Sequence, residues 1–160
     1  MPEVGDMAPE INLPDQNGKP IVLSKLRGKT VALFFYPKAD TPGCTVEACA
    51  FRDLQKSFDG ADSVILGISP DTDKAQLKFA EKFDLPYRLL ADAQHETAEA
   101  YGVWIEKSMY GKKYMGIDRT TFVIGPDGKC THIFRKVKVE NHANEVLQAI
   151  AAGEGQNVPR

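Results

Sequence analysis

Apolar positions along the chain follow two patterns. Residues 31–36 (Val-Ala-Leu-Phe-Phe-Tyr), 63–69 (Ser-Val-Ile-Leu-Gly-Ile-Ser) and 87–91 (Tyr-Arg-Leu-Leu-Ala) are short runs with the length and composition of buried strands. Between and after them, apolar residues recur at helical spacing. A helix starting after Thr41 and running to about Phe58 places Val46, Ala50, Phe51, Leu54 and Phe58 on one arc at about 100° per residue. Arg52, Gln55 and Lys56 lie opposite or at the margins, Glu47 falls inside the apolar arc, and Gly60 closes the element. Thr72 caps a second helix, with Ala75, Gln76, Phe79, Ala80 and Phe83 on one side and Leu85-Pro86 at its end. A short helix is predicted over Thr97 to Tyr101. The last starts at Asn141, turns Val146, Leu147 and Ile150 inward, and frays through Gly153-Glu154-Gly155.

Two hairpins complete the pattern. Ile11 to Leu13 and Ile21 to Leu23 flank Asn17-Gly18, a dipeptide suited to positive φ. Gly125-Pro126-Asp127-Gly128 joins Thr120 to Ile124 with Cys130 to Phe134, which should pair antiparallel. Residues 105–118 show no clean period and are expected to form a long loop. Strands alternating with helices, then a hairpin and a final helix, predict an α/β sandwich with a mixed central sheet flanked by helices, a single domain over residues 1–160 without repeats or linker.

Composition narrows the function classes. Hydrophobic residues at 42% and charged residues at 26% suit a soluble globular chain. A net charge of -2 leaves no footprint for nucleic acid or an anionic membrane. No run approaches the roughly 20 apolar residues of a membrane helix, and the start has no basic segment followed by an apolar one, so a cytoplasmic location is expected. Three cysteines are too few, and odd in number, for a disulfide-stapled framework. These cysteines and His95, His132 and His142 show no ligand spacing for zinc or an iron–sulfur cluster.

Candidate chemistry concentrates in residues 37–49. Thr41 suits an N-cap, and Pro42 the first helical position, which puts Cys44 in the first turn. Unpaired N–H groups and the positive end of the helix dipole favour a thiolate there. Cys49 lies five residues on, a rise of about 7.5 Å and a rotation of about 140°, so the two Cα atoms of an ideal helix are roughly 8 to 9 Å apart. A disulfide needs them within about 7 Å, so joining them requires part of the first two turns to unwind. That geometry suits a cycle in which one cysteine is oxidised first and a second resolves it later. Cys44 is the better first reactant, while Cys49 points away from the apolar arc. Cys130 has no flanking charged partner and reads as a small buried hydrophobe. The Thr41 hydroxyl can approach the sulfur from the same turn, and Pro37 either ends its strand or walls the thiolate from water. If Glu47 is buried it needs a cation, from Arg119 or a lysine of residues 105–118.

Pro37-Lys38-Ala39-Asp40-Thr41-Pro42-Gly43-Cys44 resembles the Pro-x-x-x-Thr-x-x-Cys motif of peroxiredoxins. Cys44-Thr45-Val46-Glu47-Ala48-Cys49 resembles the bacterioferritin comigratory protein, or peroxiredoxin Q, branch. Gly5-Asp6, Ala8-Pro9, Trp104, Lys107 to Lys112, Arg119 to Ile124 and Asp127-Gly128 extend the similarity over nearly the whole chain. The resemblance implies a thioredoxin-like fold with an N-terminal β-hairpin extension and a hydroperoxide reductase needing no metal or organic cofactor. It implies that Cys44 attacks the peroxide, Thr41 bonds thiolate and peroxide, Pro37 shields them, and Arg119 favours the thiolate and polarises the peroxide. Backbone N–H groups of Gly43 and Cys44 would complete the site. Cys49 would then form an intramolecular disulfide with Cys44, reduced by thioredoxin or a similar dithiol protein, and the branch is often monomeric. The rival reading, a general thiol-disulfide oxidoreductase, shares the fold but normally uses Cys-x-x-Cys, whereas the spacing here is Cys-x-x-x-x-Cys.

Overall fold

The computed structural model describes residues 1–152, so the fraying expected over 153–155 lies outside the described residues. Asn12–Pro14 (β1) and Pro20–Val22 (β2) form the expected N-terminal hairpin, with Leu13 opposite Ile21. Five strands then build the central sheet: Thr30–Phe35 (β3), Ser63–Ser69 (β4), Arg88–Ala91 (β5), Thr120–Ile124 (β8) and Cys130–Phe134 (β9). Their order is β5-β4-β3-β8-β9. The first three are parallel and β8 and β9 antiparallel, which is the mixed sheet that the pattern predicts.

Continuous apolar runs mark these strands because both faces of the sheet are covered. Side chains alternate along β3, so Val31, Leu33 and Phe35 join one core and Ala32, Phe34 and Tyr36 the other. The first core is closed by Ile11 and Ile21 of the hairpin region, by Ala98 of Glu96–Ala100 (α4) and by Tyr101. Over the other face pack Phe51 of Pro42–Asp53 (α1), Phe58 of Gln55–Gly60 (α2), Phe79 of Asp73–Phe83 (α3) and Val146 of His142–Ala152 (α5). Thr72 caps α3 as expected, its hydroxyl accepting from the Ala75 N–H at 3.2 Å. Among the described residues no helix is long and apolar enough to cross a membrane.

Three expectations are corrected. The helix predicted to reach Phe58 breaks at Leu54, whose N–H bonds the Phe51 carbonyl three residues back at 3.1 Å and tightens the turn before α2 restarts. The buried side of α1 is Cys44, Glu47, Ala48 and Phe51, while Val46 is 52% exposed. Glu47 lies inward, as its place inside the apolar arc predicts, because a cation awaits it, and it is Val46 that leaves that arc for solvent. Residues 105–118 are not a loop. Trp104–Met109 (β6) and Lys112–Ile117 (β7) pair antiparallel around Tyr110-Gly111, with φ of 52° and 78°. Positive φ at both positions twists the turn to match its strands, and the outer part of this hairpin is solvated on both faces, so no apolar alternation announces it.

Candidate active site

The chain leaves β3 at its carboxyl end and turns into α1 through residues 37–41. Tyr36 prolongs the strand by one bond, its N–H donating to the Ile68 carbonyl at 3.0 Å. The loop is then held from α3 and the turn before it. Ala39 N–H donates to Asp71 Oδ2 at 2.8 Å, and Lys82 Nζ lies 2.9 Å from Asp40 Oδ2. Half-buried Pro37 heads this loop, and Asp40 takes a left-handed φ of 59° to complete it.

Thr41 enters the helix in extended geometry, with Pro42 at the first helical position. Its hydroxyl does not cap the helix; it donates to the Lys38 carbonyl at 2.8 Å, correcting the expected N-cap bond. The tight turn over Lys38 to Thr41 brings that carbonyl within reach, and Pro42 has no N–H to satisfy. The Thr41 side chain therefore takes none of the helix's free donors, and those of Gly43 and Cys44 remain available to an incoming oxygen.

Cys44 is 1% exposed, and Arg119 Nη2 donates to its sulfur at 3.4 Å. Arg119 reaches it from the neighbouring strand: Thr120 pairs with Phe35 across β8 and β3, so the preceding residue faces the end of β3 where α1 begins. A Cβ at Gly43 would lie 3.2 Å from Arg119 Nη2, so glycine there gives the guanidinium room. Arg119 Nη1 donates to Glu47 Oε1 at 2.6 Å, settling the choice between Arg119 and the hairpin lysines. Burial pushes the Glu47 carboxyl up to about 7 against the opposing pull of Arg119. Burial also works against the Arg119 charge, but Glu47 and Cys44 outweigh it and hold its proton more tightly than usual.

Cys44, Glu47, Arg119 and the first turn of α1 thus meet in one place. Cys49 is not beside them. It is half-buried on the second turn, and all three cysteines are free thiols. The Tyr87 hydroxyl donates to the Ala48 carbonyl at 2.6 Å, a tether on this turn that no pattern in the sequence indicates. Cys130 belongs to the core on the other face of the sheet, and burial, aided by the Asp6 charge, pushes its thiol up to about 11. His142 stands behind Glu47 and also escapes sequence reasoning, because a histidine at the start of an amphipathic helix carries no sign of what it faces. A thiol at a helix start beside a fixed cation can attack an electrophilic oxygen while the free donors receive the charge that develops.

Comparison with known proteins agrees with this chemistry. A family model described as the AhpC/TSA family matches residues 4–133. The chain is 48% identical to the peroxiredoxin Bcp of Bacillus subtilis over 148 residues, covering 92% of this chain and 94% of that protein. Among solved structures it is similar to the Mycobacterium tuberculosis peroxidoxin BcpB, with a TM-score of 0.85 at 42% identity over 95% of this chain and 98% of that one. It is also similar to the Xanthomonas campestris bacterioferritin comigratory protein, described by its alkyl peroxide reduction activity, with a TM-score of 0.85 at 38% identity over 89% and 90%. The mixed sheet with its N-terminal hairpin is therefore the thioredoxin-like peroxiredoxin fold. On these matches the chain belongs to the AhpC/TSA family, within its Bcp peroxiredoxin branch, and is a thiol-dependent peroxidase acting on hydroperoxides.

Proposed function

We propose that this peroxidase works by an atypical two-cysteine cycle in which Cys44 is the peroxidatic residue and Cys49 resolves it. The observation that carries the reading is the contact of Arg119 Nη2 with Cys44 Sγ at 3.4 Å, with the same guanidinium anchored on Glu47 at 2.6 Å. The Cys44 thiolate attacks one peroxide oxygen, an S–O bond forms as the O–O bond breaks, and the electron pair leaves with the departing oxygen. That oxygen takes a proton to become water or an alcohol, leaving a sulfenic acid on Cys44. Arg119 and the N–H groups of Gly43 and Cys44 receive the developing charge. Thr41 aligns the peroxide through its hydroxyl lone pairs, and Pro37 limits water. Organic hydroperoxides are substrates alongside hydrogen peroxide, a reading supported by the alkyl peroxide reduction activity of the Xanthomonas relative.

Resolution follows when the Cys49 thiolate attacks the Cys44 sulfur and displaces water once a proton is supplied. Thioredoxin or a similar dithiol then returns two electrons by disulfide exchange. Both cysteines lie on α1 of one chain, so the cycle needs no second subunit, and the protein acts as a single-domain monomer. Tryptic mass mapping after one equivalent of peroxide tests the cycle. The expected product is a Cys44–Cys49 bridge, absent in Cys44→Ser. A bridge to Cys130, or peroxide consumption that survives Cys44→Ser, would overturn it.

A further inference from the structure

The loop that leads into α1 is tied to the sheet by a chain of hydrogen bonds that the cycle above does not use. Tyr36, Ser69 and Gln76 are each buried to 1% exposure or less. The amide of Gln76, on α3, donates to the Leu90 carbonyl and to Ser69 Oγ, both at 2.8 Å, and its Oε1 accepts from the Tyr36 hydroxyl. A carbonyl can only accept, so Leu90 fixes which end of the amide faces it and with that the direction of every bond in the chain. The Ser69 hydroxyl must then give its own proton outward, to Asp71 Oδ2 at 2.6 Å. The same Oδ2 accepts from the Ala39 N–H at 2.8 Å.

That N–H belongs to the peptide unit whose carbonyl is that of Lys38, and the Lys38 carbonyl is the acceptor of the Thr41 hydroxyl at 2.8 Å. The unit is trans, so its N–H and C=O point opposite ways, one to Asp71 and the other to Thr41. A carboxylate on the N–H holds the plane of the peptide and makes its carbonyl a stronger acceptor.

We propose that Asp71 is a positioning residue for the peroxidase reaction: through peptide 38–39 it holds the Thr41 hydroxyl on the Lys38 carbonyl and away from the helix. This rests on Cys44 being the peroxidatic residue and on Thr41 receiving the peroxide. A threonine ahead of a helix ordinarily caps it, its oxygen accepting from the N–H two or three residues on, here that of Gly43 or Cys44. Such a cap would occupy the donors that the developing charge needs. With its proton committed to Lys38, Thr41 Oγ1 meets the peroxide as an acceptor, and the two N–H groups stay open. Lys82 Nζ, 2.9 Å from Asp40 Oδ2, holds the same loop but lies outside the path from Asp71 to Thr41.

Amide hydrogen exchange of the reduced protein, read by NMR without peroxide, tests the hold on Thr41. In Asp71→Ala the Thr41 hydroxyl is expected to fall back to its capping position, so protection at Gly43 or Cys44 should rise roughly fivefold. General loosening of the loop would lower it instead. Adding Thr41→Val should abolish the rise, and Lys82→Ala should not produce one. Stopped-flow oxidation of Cys44 by hydrogen peroxide should slow roughly tenfold in Asp71→Ala. Thr41→Val should cost much less in that background than in the wild type. Asp71→Asn keeps an oxygen for both donors and should restore most of the rate. Protection that stays level or falls in Asp71→Ala, or losses from Asp71→Ala and Thr41→Val that simply multiply, would overturn the proposal. A rise in protection in a protein whose Cys44 resists peroxide would instead defeat the peroxidatic assignment and leave the hold of Asp71 on Thr41 standing.

Discussion

At the scale of the residue, Glu47 carries the tension in this site. Its carboxyl is buried to 1% exposure beside one guanidinium, and burial outweighs that partner. The folded protein therefore holds the Glu47 proton up to about 7, whereas the unfolded chain releases it near 4.5. Between those values the folded state binds more protons, so this group's contribution to stability falls as pH rises and is flat beyond them. Thermal melts of wild type and Glu47→Gln across this window should diverge, the wild type losing ground as pH rises to about 7. A constant difference, or one that moves the other way, would mean that Glu47 is ionised throughout. The sequence announced that a buried Glu47 would need a cation but offered several. Register decided, since pairing of Phe35 with Thr120 brings Arg119 to the site while the lysines of β6 and β7 stay on a solvated hairpin.

At the scale of the element, the proposed cycle requires α1 to be both a firm platform and a part that unwinds. Its platform half is legible in the sequence from Thr41-Pro42 and from Phe51, which stacks on Phe34 with ring centroids 4.6 Å apart. The tether on its second turn is not, because Tyr87 lies 39 residues from Ala48 and meets it only when β5 docks. Tyr87→Phe removes this bond and leaves the ring in place, at a cost of about 1 kcal/mol. That loss falls on the state in which the turn is wound, so disulfide formation should accelerate up to about fivefold while the first oxidation step is unchanged. Stopped-flow tryptophan fluorescence or rapid-quench mass analysis separates the two steps. A slower resolution step in the variant would show that Tyr87 guides the unwound chain and does not restrain it. The break at Leu54 was also illegible, since neither glycine nor proline marks it and only the i to i+3 bond to Phe51 does.

At the scale of the molecule, the central sheet fixes the distance between its two cores and the seat of α1. Gly67, on β4 between β3 and β5, leaves no space for a side chain: a Cβ there would lie 2.8 Å from Leu89 Cδ2 and 2.9 Å from Phe34 Cζ. Gly67→Ala should therefore destabilise by about 1 to 3 kcal/mol and, by shifting Phe34 against Phe51, lower peroxidase activity as well. Denaturant unfolding alongside peroxide consumption checks both, and an unchanged midpoint would show that the two side chains yield freely.

The sequence by itself determined the strand runs, the mixed sheet, the helix start at Pro42 and the cysteine in its first turn. These are local properties, written in periodicity, turn chemistry and the few residues that suit a helix N-terminus. The spacing of Cys44 and Cys49 also dictated that part of α1 must move if the two are to bond. Only the tertiary structure decided that Arg119 spans Cys44 and Glu47, that the Thr41 hydroxyl turns back to Lys38, and that His142 faces the one buried carboxylate oxygen without a partner among the described residues. Those contacts join residues 72 to 95 positions apart, or hinge on a turn with more than one available acceptor. Their existence depends on strand register and helix docking, which no local pattern encodes.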